Sequence, residues 1–286
     1  MLCLILGIIF VSIDFGKVNA KHKRLTEIRC FMDVTADRFP EIQGIEDKDY
    51  QQIIQLLQEE QSEYVTQMNL RYEDMVEYYT IWAHQIKTPI ASMRLHLQNE
   101  DTALSRQLSS DLFRIEQYVE MVLMFLRLDS DTTDYVIKEQ DLDAVIRGAV
   151  KKFAGEFIAR KLHLIYEPVN AKVVTDEKWL SFVIEQVLSN ALKYTVEGSI
   201  TISLEERKTL CIKDTGMGIA AEDLPRIFEK GYTGCHGRND KKASGIGLYL
   251  CKRVCRNLGH DISAESVPGE GTIIRINLAQ TKLEVE

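Results

Sequence analysis

Trp82-Ala83-His84-Gln85-Ile86-Lys87-Thr88-Pro89-Ile90 lies inside a run without glycine, Asp47 to Asn99, in which Pro89 is the only proline. Around it, apolar or aromatic residues recur at Tyr72, Met75, Tyr79, Trp82, Ile86, Ile90, Met93 and Leu97, in steps of three and four. That spacing lines one stripe of an α-helix with a near-heptad repeat. A second stripe follows at Leu104, Leu108, Leu112, Ile115, Val119, Val122 and Leu126. The polar break between them, Asn99 to Thr102, offers Asp101 or Thr102 as a cap for the new helix. Two long helices joined by a short turn make an antiparallel hairpin. One hairpin cannot cover both stripes on all sides. The pattern therefore predicts either two hairpins dimerised into a four-helix bundle or a helix pair docked on the rest of the chain.

If Trp82, Ile86 and Ile90 face the bundle core, His84 lies about 200° around the helix and points to solvent. Pro89 lacks an N–H and crowds the carbonyl of Gln85, which costs ~3 kcal/mol and bends the helix one turn after the histidine. A surface histidine beside a tolerated kink and a histidine placed for a partner to reach both fit this stretch taken alone.

Downstream, Asp129-Ser130-Asp131-Thr132-Thr133-Asp134 reads as an acidic linker. Beyond it, β-rich runs at 135–138, 162–167, 199–204, 210–213, 261–266 and 272–278 mix with helical stretches near 142–159, 177–194 and 247–258. This order predicts an α/β layer domain with helices on one face of a sheet. Upstream, Met1 to Gly16 is apolar except for Ser12 and Asp14, and basic Lys17, Lys21, Lys23, Arg24 and Arg29 follow. A spanning helix needs about 20 apolar residues, so this head is short by about a turn and reads as a truncated membrane segment. The basic residues after it place the following chain in the cytoplasm. A signal peptide cleaved after Val18-Asn19-Ala20 and a buried helix are the other readings.

The whole chain of 286 residues carries 35 Lys and Arg against 43 Asp and Glu, a formal charge of −8, which disfavours a dedicated nucleic-acid binder. A mean hydropathy of −0.15 excludes a polytopic membrane protein. The six cysteines have no paired framework spacing, and Cys251 and Cys255 read as small core residues rather than metal ligands.

Three further stretches carry chemistry. In Glu185–Tyr194, Leu180, Val183, Ile184, Val187 and Ala191 supply the apolar face, while Gln186, Asn190 and Lys193 share one edge. Amide oxygens suit Mg²⁺, and an ammonium suits phosphate. Asp214-Thr215-Gly216-Met217-Gly218-Ile219 follows a strand, so Asp214 can accept from an exocyclic amine while the glycines let backbone approach a ring. Ser244-Gly245-Ile246-Gly247-Leu248 is a Gly-rich turn opening a helix, a phosphate-binding arrangement. Ahead of it lie Ile227-Phe228-Glu229-Lys230-Gly231-Tyr232 and a polar, basic segment, Thr233–Ala243, that reads as a lid.

The order of these boxes behind a heptad hairpin resembles the bacterial two-component sensor histidine kinases, from about Val76 onward. The H-Q-I-K-T-P form and the short membrane head look most like the intramembrane-sensing, bacitracin- and antimicrobial-peptide-responsive subgroup, which works beside ABC-type peptide exporters. The resemblance implies an α+β chain in four parts: a membrane segment (1–16), a linker and signalling helix (17–71), a dimeric phosphoacceptor hairpin (72–129), and an ATP-binding α/β sandwich (135–281) of the gyrase, chaperone and histidine-kinase type. It implies that His84 accepts the γ-phosphoryl group of ATP and passes it to an aspartate of a response regulator. Thr88 would orient water for dephosphorylating that regulator. Asn190, with Gln186, would ligate Mg²⁺; Lys193 and Tyr194 would contact the nucleotide; Asp214 would hold the adenine amine beside Gly216, Gly218 and Ile219. Phe228, Gly245, Gly247, Leu248 and Thr272 would complete the nucleotide site. Two positions depart from the family pattern. Gln85 stands where an acid is common, and it can orient but not accept a proton. Gln186 stands where an asparagine is common, and it keeps the amide on a longer arm. An ATPase of the gyrase, chaperone or mismatch-repair type and a nucleotide-binding scaffold without turnover are the rivals.

Overall fold

The computed structural model describes residues 2–29, 39, 44–99, 102–128, 135–234 and 244–279. The expected linker 129–134, the cap Asp101, lid residues 235–243, Cys30 and Cys235 lie outside them. The chain divides into two units, Met1–Asp74 and Met75–Glu286. In the first, helix α1 (Leu2–Arg29) leaves Leu4, Ile8, Phe10 and Phe15 exposed. Cys3–Thr26 is long and apolar enough to cross a membrane by length and composition. At 1.5 Å per residue it is about 36 Å long, and Lys21 donates a hydrogen bond to Asp47.

Helix α2 (Ile45–Gln98) carries Pro89 without interruption. In the second unit it pairs with α3 (Ala103–Leu128). Lys87 meets Glu120 at 3.3 Å and Arg94 meets Glu116 at 3.0 Å, so the two helices run antiparallel. Thr102 caps α3: its hydroxyl accepts from the Ser105 N–H at 3.0 Å, and the Ser105 hydroxyl accepts from the Thr102 N–H at 2.9 Å. This is a capping box with serine in the usual glutamate position.

The heptad stripe of α3 splits into two sets. Leu112, Val119 and Leu126 are buried, whereas Leu108, Ile115 and Val122 remain exposed. On α2 only Ala83 and Ile90 are buried, and Met75, Tyr79, Trp82 and Met93 stay open. Both readings of the hairpin thus have a face. Met124 and Leu128 join the main core, with Phe113, Met121 and Phe125 packed against it, while a second apolar face has no cover among the described residues.

The following domain has a five-stranded sheet ordered β2-β4-β5-β7-β6, with β2 (His163–Tyr166) parallel to β4 (Ser199–Glu205). The other neighbours, β5 (Thr209–Asp214), β7 (Gly271–Asn277) and β6 (Asp261–Val267), are antiparallel. Helices α4 (Leu142–Arg160), α5 (Glu177–Tyr194) and α6 (Gly247–Asn257) pack as a layer around Leu180, Ile184, Leu188 and Leu250. Full burial of such side chains contributes about 1.5–3 kcal/mol each.

Two strand expectations fail. The run expected at 135–138 becomes β1 only from Lys138 to Asp141 and pairs with β3 (Lys172–Thr175), a strand the sequence pattern did not reveal. The reason lies in what holds residues 135 and 136. The Val136 N–H donates to Asp176 at 2.8 Å and Tyr135 stacks on Trp179, so this segment straps the start of α5 instead of joining a ladder.

Candidate active site

A cavity of about 640 Å³ opens between the sheet, α5, the start of α6 and one face of α3. Such volumes suit a drug-sized or nucleotide-sized ligand. Helix α5 forms its floor because Asp176 caps the helix start, accepting from the Trp179 N–H at 3.1 Å, and the buried face anchors it on the sheet. That fixes the opposite edge, and Gln186, Asn190, Lys193 and Tyr194 all line the cavity. Gln186 is buried, and its Oε1 would stand 3.0 Å from a Cβ built on Gly247. The Lys193 ammonium sits 5.0 Å from the Tyr194 ring centre.

At the far wall, Asp214 ends β5 and is 7% exposed. Its Oδ1 accepts from the Gly216 N–H at 2.9 Å and the Thr272 N–H at 3.3 Å, which leaves the other oxygen for a ligand. Burial pushes this carboxyl above its ordinary range, against the pull of those two N–H donors. Gly218 has φ +70°, and a Cβ there would lie 2.1 Å from the Val267 carbonyl oxygen, so no side chain fits where the chain turns beside β6. Met217, Gly218, Ile219 and Thr272 line this end, and Ser244, Gly245, Gly247 and Leu248 line the other. Among the described residues no side chain caps α6, so its first N–H groups can serve an anion.

Several residues lie elsewhere. Gly216 binds Asp214 but is not part of the cavity wall, and Phe228 packs against the main core with the Lys252 ammonium 5.5 Å from its ring centre. His84, Gln85 and Thr88 are exposed on α2 and outside the cavity; the Thr88 hydroxyl donates to the His84 carbonyl at 3.2 Å. Sequence reasoning missed the wall built by α3, namely Phe113, Arg114, Gln117, Tyr118 and Met121, together with Arg160. No local signal marks those residues, because their role comes from docking.

The docking contacts are specific. Phe113 packs edge-on against Phe153 of α4, with centroids 5.1 Å apart, and Lys230 sits 4.9 Å from the centre of the Phe125 ring. Lys152 of α4 joins Glu120 at 2.7 Å and Glu185 at 2.6 Å. Burial pulls the Glu120 carboxyl up, but Lys152 and Lys87 more than offset this and hold it below the usual carboxylate range. A chain of alternating charge thus runs from Lys87, three residues after His84, to Glu185 beside Gln186.

Among the described residues no group of three or more His, Cys, Asp or Glu side chains could hold a metal ion. Gln186 and Asn190 offer two amide oxygens one turn apart, a donor set that fits Mg²⁺ sharing its shell with phosphates and water.

Residues 175–282 match the family described as "Histidine kinase-, DNA gyrase B-, and HSP90-like ATPase". The chain is 31% identical over 271 residues to the Sensor protein BceS of Halalkalibacterium halodurans, covering 92% of this chain and 79% of that one. It is 30% identical over 283 residues to the Sensor protein BceS of Bacillus subtilis, covering 96% and 83%. Against the Sensor histidine kinase YxdK of Bacillus subtilis it is 35% identical over 211 residues, covering 71% of this chain and 64% of the relative's length.

Proposed function

The chain belongs to the sensor histidine kinases, ATP-using protein histidine kinases, and from that premise we propose that His84 is its phosphoacceptor and the cavity over α5 its ATP site. The observation that carries most weight is Asp214. It is a buried carboxylate with one oxygen tied down by two backbone N–H groups and the other open to a cavity whose opposite end is a free helix start. That pairing suits a ligand with an amine at one end and phosphates at the other.

In this reading Asp214 accepts from the adenine amino group, with Met217, Gly218, Ile219 and Thr272 around the base. Lys193 and the turn from Ser244 to Leu248 hold the phosphates. Gln186 and Asn190 would hold Mg²⁺, which when bound supplies charge neutralisation on the transferred phosphoryl group. The protein's work is positioning and electrostatics. A ring nitrogen of His84 forms the new N–P bond as the bond to the departing ADP oxygen breaks. Gln85 orients the ring and takes no proton, so the proton leaves to solvent. His84 is exposed and outside the cavity wall, so transfer requires the nucleotide domain to leave α3 or a second copy to supply its own.

The exposed Met75, Tyr79, Trp82, Leu108, Ile115 and Val122 support dimerisation of two hairpins into a four-helix bundle. The phosphoryl group then passes to an aspartate of a cognate response regulator, and Thr88 positions the water that later hydrolyses that aspartyl phosphate to aspartate and inorganic phosphate. α1 spans the membrane with the kinase on the cytoplasmic side, in keeping with its apolar window and the basic residues at its end. The motif resemblance extends the proposal to antimicrobial-peptide sensing beside an ABC-type exporter.

The test is incubation of the detergent-solubilised chain with γ-labelled ATP and Mg²⁺. Acid-labile, alkali-stable label is expected on the wild type and none on His84→Gln. An unlabelled wild type leaves a nucleotide-binding scaffold, and label surviving in His84→Gln moves the acceptor elsewhere.

A further inference from the structure

Gln117 is 6% exposed, and both polar atoms of its side chain are buried without a hydrogen-bond partner among the described residues. A buried carboxamide with neither donor nor acceptor satisfied is costly and rare in a native protein. It sits mid-way along α3, one turn after Phe113 and one turn before Met121, on the face that lines the cavity. Both neighbours are pinned. Phe113 packs on Phe153, while Met121 Sδ lies 3.6 Å from the Ser244 hydroxyl and its Cε 3.8 Å from a Cβ built on Gly247. The same Gly247 position is 3.0 Å from Gln186 Oε1. The Met121 end of α3 is therefore beside Ser244 and the start of α6, which the nucleotide reading makes the phosphate end of the cavity, and Gln117 lies one helical turn from it.

We propose that Gln117 is a nucleotide-contacting residue contributed by the hairpin: rotation of its side chain turns the buried amide into the adjoining cavity, where its N–H donates to a phosphate oxygen of the bound nucleotide, so that a nucleoside di- or triphosphate bridges the hairpin and the nucleotide domain. A neutral carboxamide suits this role. It supplies a donor without adding a charge to a wall that already has Lys193 and the α6 start. The bridge makes the ligand a tie: nucleotide binding favours the docked hairpin, and docking favours nucleotide, by the same factor. The proposal rests on the nucleotide reading of the cavity.

The experiment measures ADP and adenosine binding, both with Mg²⁺, to the detergent-solubilised full chain and to its Gln117→Met and Gln117→Glu variants. Methionine keeps the shape and removes the polar atoms, so it preserves the fold. ADP affinity is expected to fall about 2- to 10-fold in Gln117→Met, the range of a lost neutral hydrogen bond. It should fall further in Gln117→Glu, where a carboxylate meets phosphate. Adenosine affinity should change less than twofold in both. If the wild type binds ADP and both variants match it within twofold, Gln117 makes no contact and only this inference is overturned. An equal loss for adenosine and ADP makes the residue structural and overturns it too. A wild type that does not bind ADP overturns the nucleotide reading and this inference together.

Discussion

Acidification should weaken the nucleotide domain through one histidine. His260, just before β6, is 6% exposed; its Nε2 meets the Thr175 hydroxyl at 2.9 Å, and its Nδ1 is buried without a partner among the described residues. Burial pushes its pKa down from 6.5 to about 4. The folded ring stays neutral at pH values where the unfolded ring takes up a proton. Stability from this group is full above pH 6.5, begins to fall as pH drops below that value, and is lost entirely once pH is below about 4. The gap is worth about 3 kcal/mol in total, of which about 2 kcal/mol is lost between pH 7 and pH 5. Thr175 immediately precedes Asp176, the cap of α5, so the loss should be felt at the helix that carries Gln186, Asn190 and Lys193. Urea unfolding of the detergent-solubilised chain, followed by Trp179 fluorescence in a Trp82→Phe background, would measure it. A His260→Gln variant keeps a donor toward Thr175 but does not titrate. The wild type should lose about 2 kcal/mol more than the variant between pH 7 and 5. Parallel profiles would refute the buried neutral histidine.

Other perturbations have equally direct readouts. Asp214→Asn keeps an oxygen for the Gly216 and Thr272 N–H groups but turns a donor toward the ligand, so ADP affinity should fall about 10- to 100-fold with the fold intact, by calorimetry and circular dichroism. In Gly271→Ala, with φ +121°, the new Cβ would sit 2.0 Å from the Asp214 carbonyl oxygen; a loss of ~2 kcal/mol or more, with failed nucleotide binding, is expected. Gly269→Ala, with φ +83° and nothing within 4 Å, should cost only about 1 kcal/mol. Cys251 and Cys255 are fully buried, and burial raises both thiols, Cys255 to about 12, so alkylation of the native chain followed by mass spectrometry should leave these two unreacted and label them only after unfolding in urea.

How far local pattern reaches is clearest on α5. Its apolar positions repeat at helical spacing, so its bounds and the shared edge of Gln186, Asn190 and Lys193 are legible before any packing is known. The strands β4 to β7 are similarly legible because one face is buried and alternation follows. β3 escaped because it is a short strand directly ahead of the α5 cap, and the segment at 135–137 misled because its β-branched side chains stay exposed while the Val136 N–H and the Tyr135 ring strap α5.

By itself, the sequence determined the helical hairpin, the mixed domain after it, the solvent-facing histidine, and the ordered boxes around Asn190, Asp214 and Gly247. All of these follow from periodicity and from backbone chemistry confined to a few neighbouring residues. Only the tertiary structure decided which half of each heptad stripe is covered, that α3 walls the cavity while His84 stays outside it, and that Gln117 is buried with no partner for its amide among the described residues. Those outcomes depend on which surfaces meet across sequence separations of 32 to 123 residues. A polar residue on a helix reads the same in sequence whether water or a cavity faces it, because its burial is set by the partner layer and not by its neighbours along the chain.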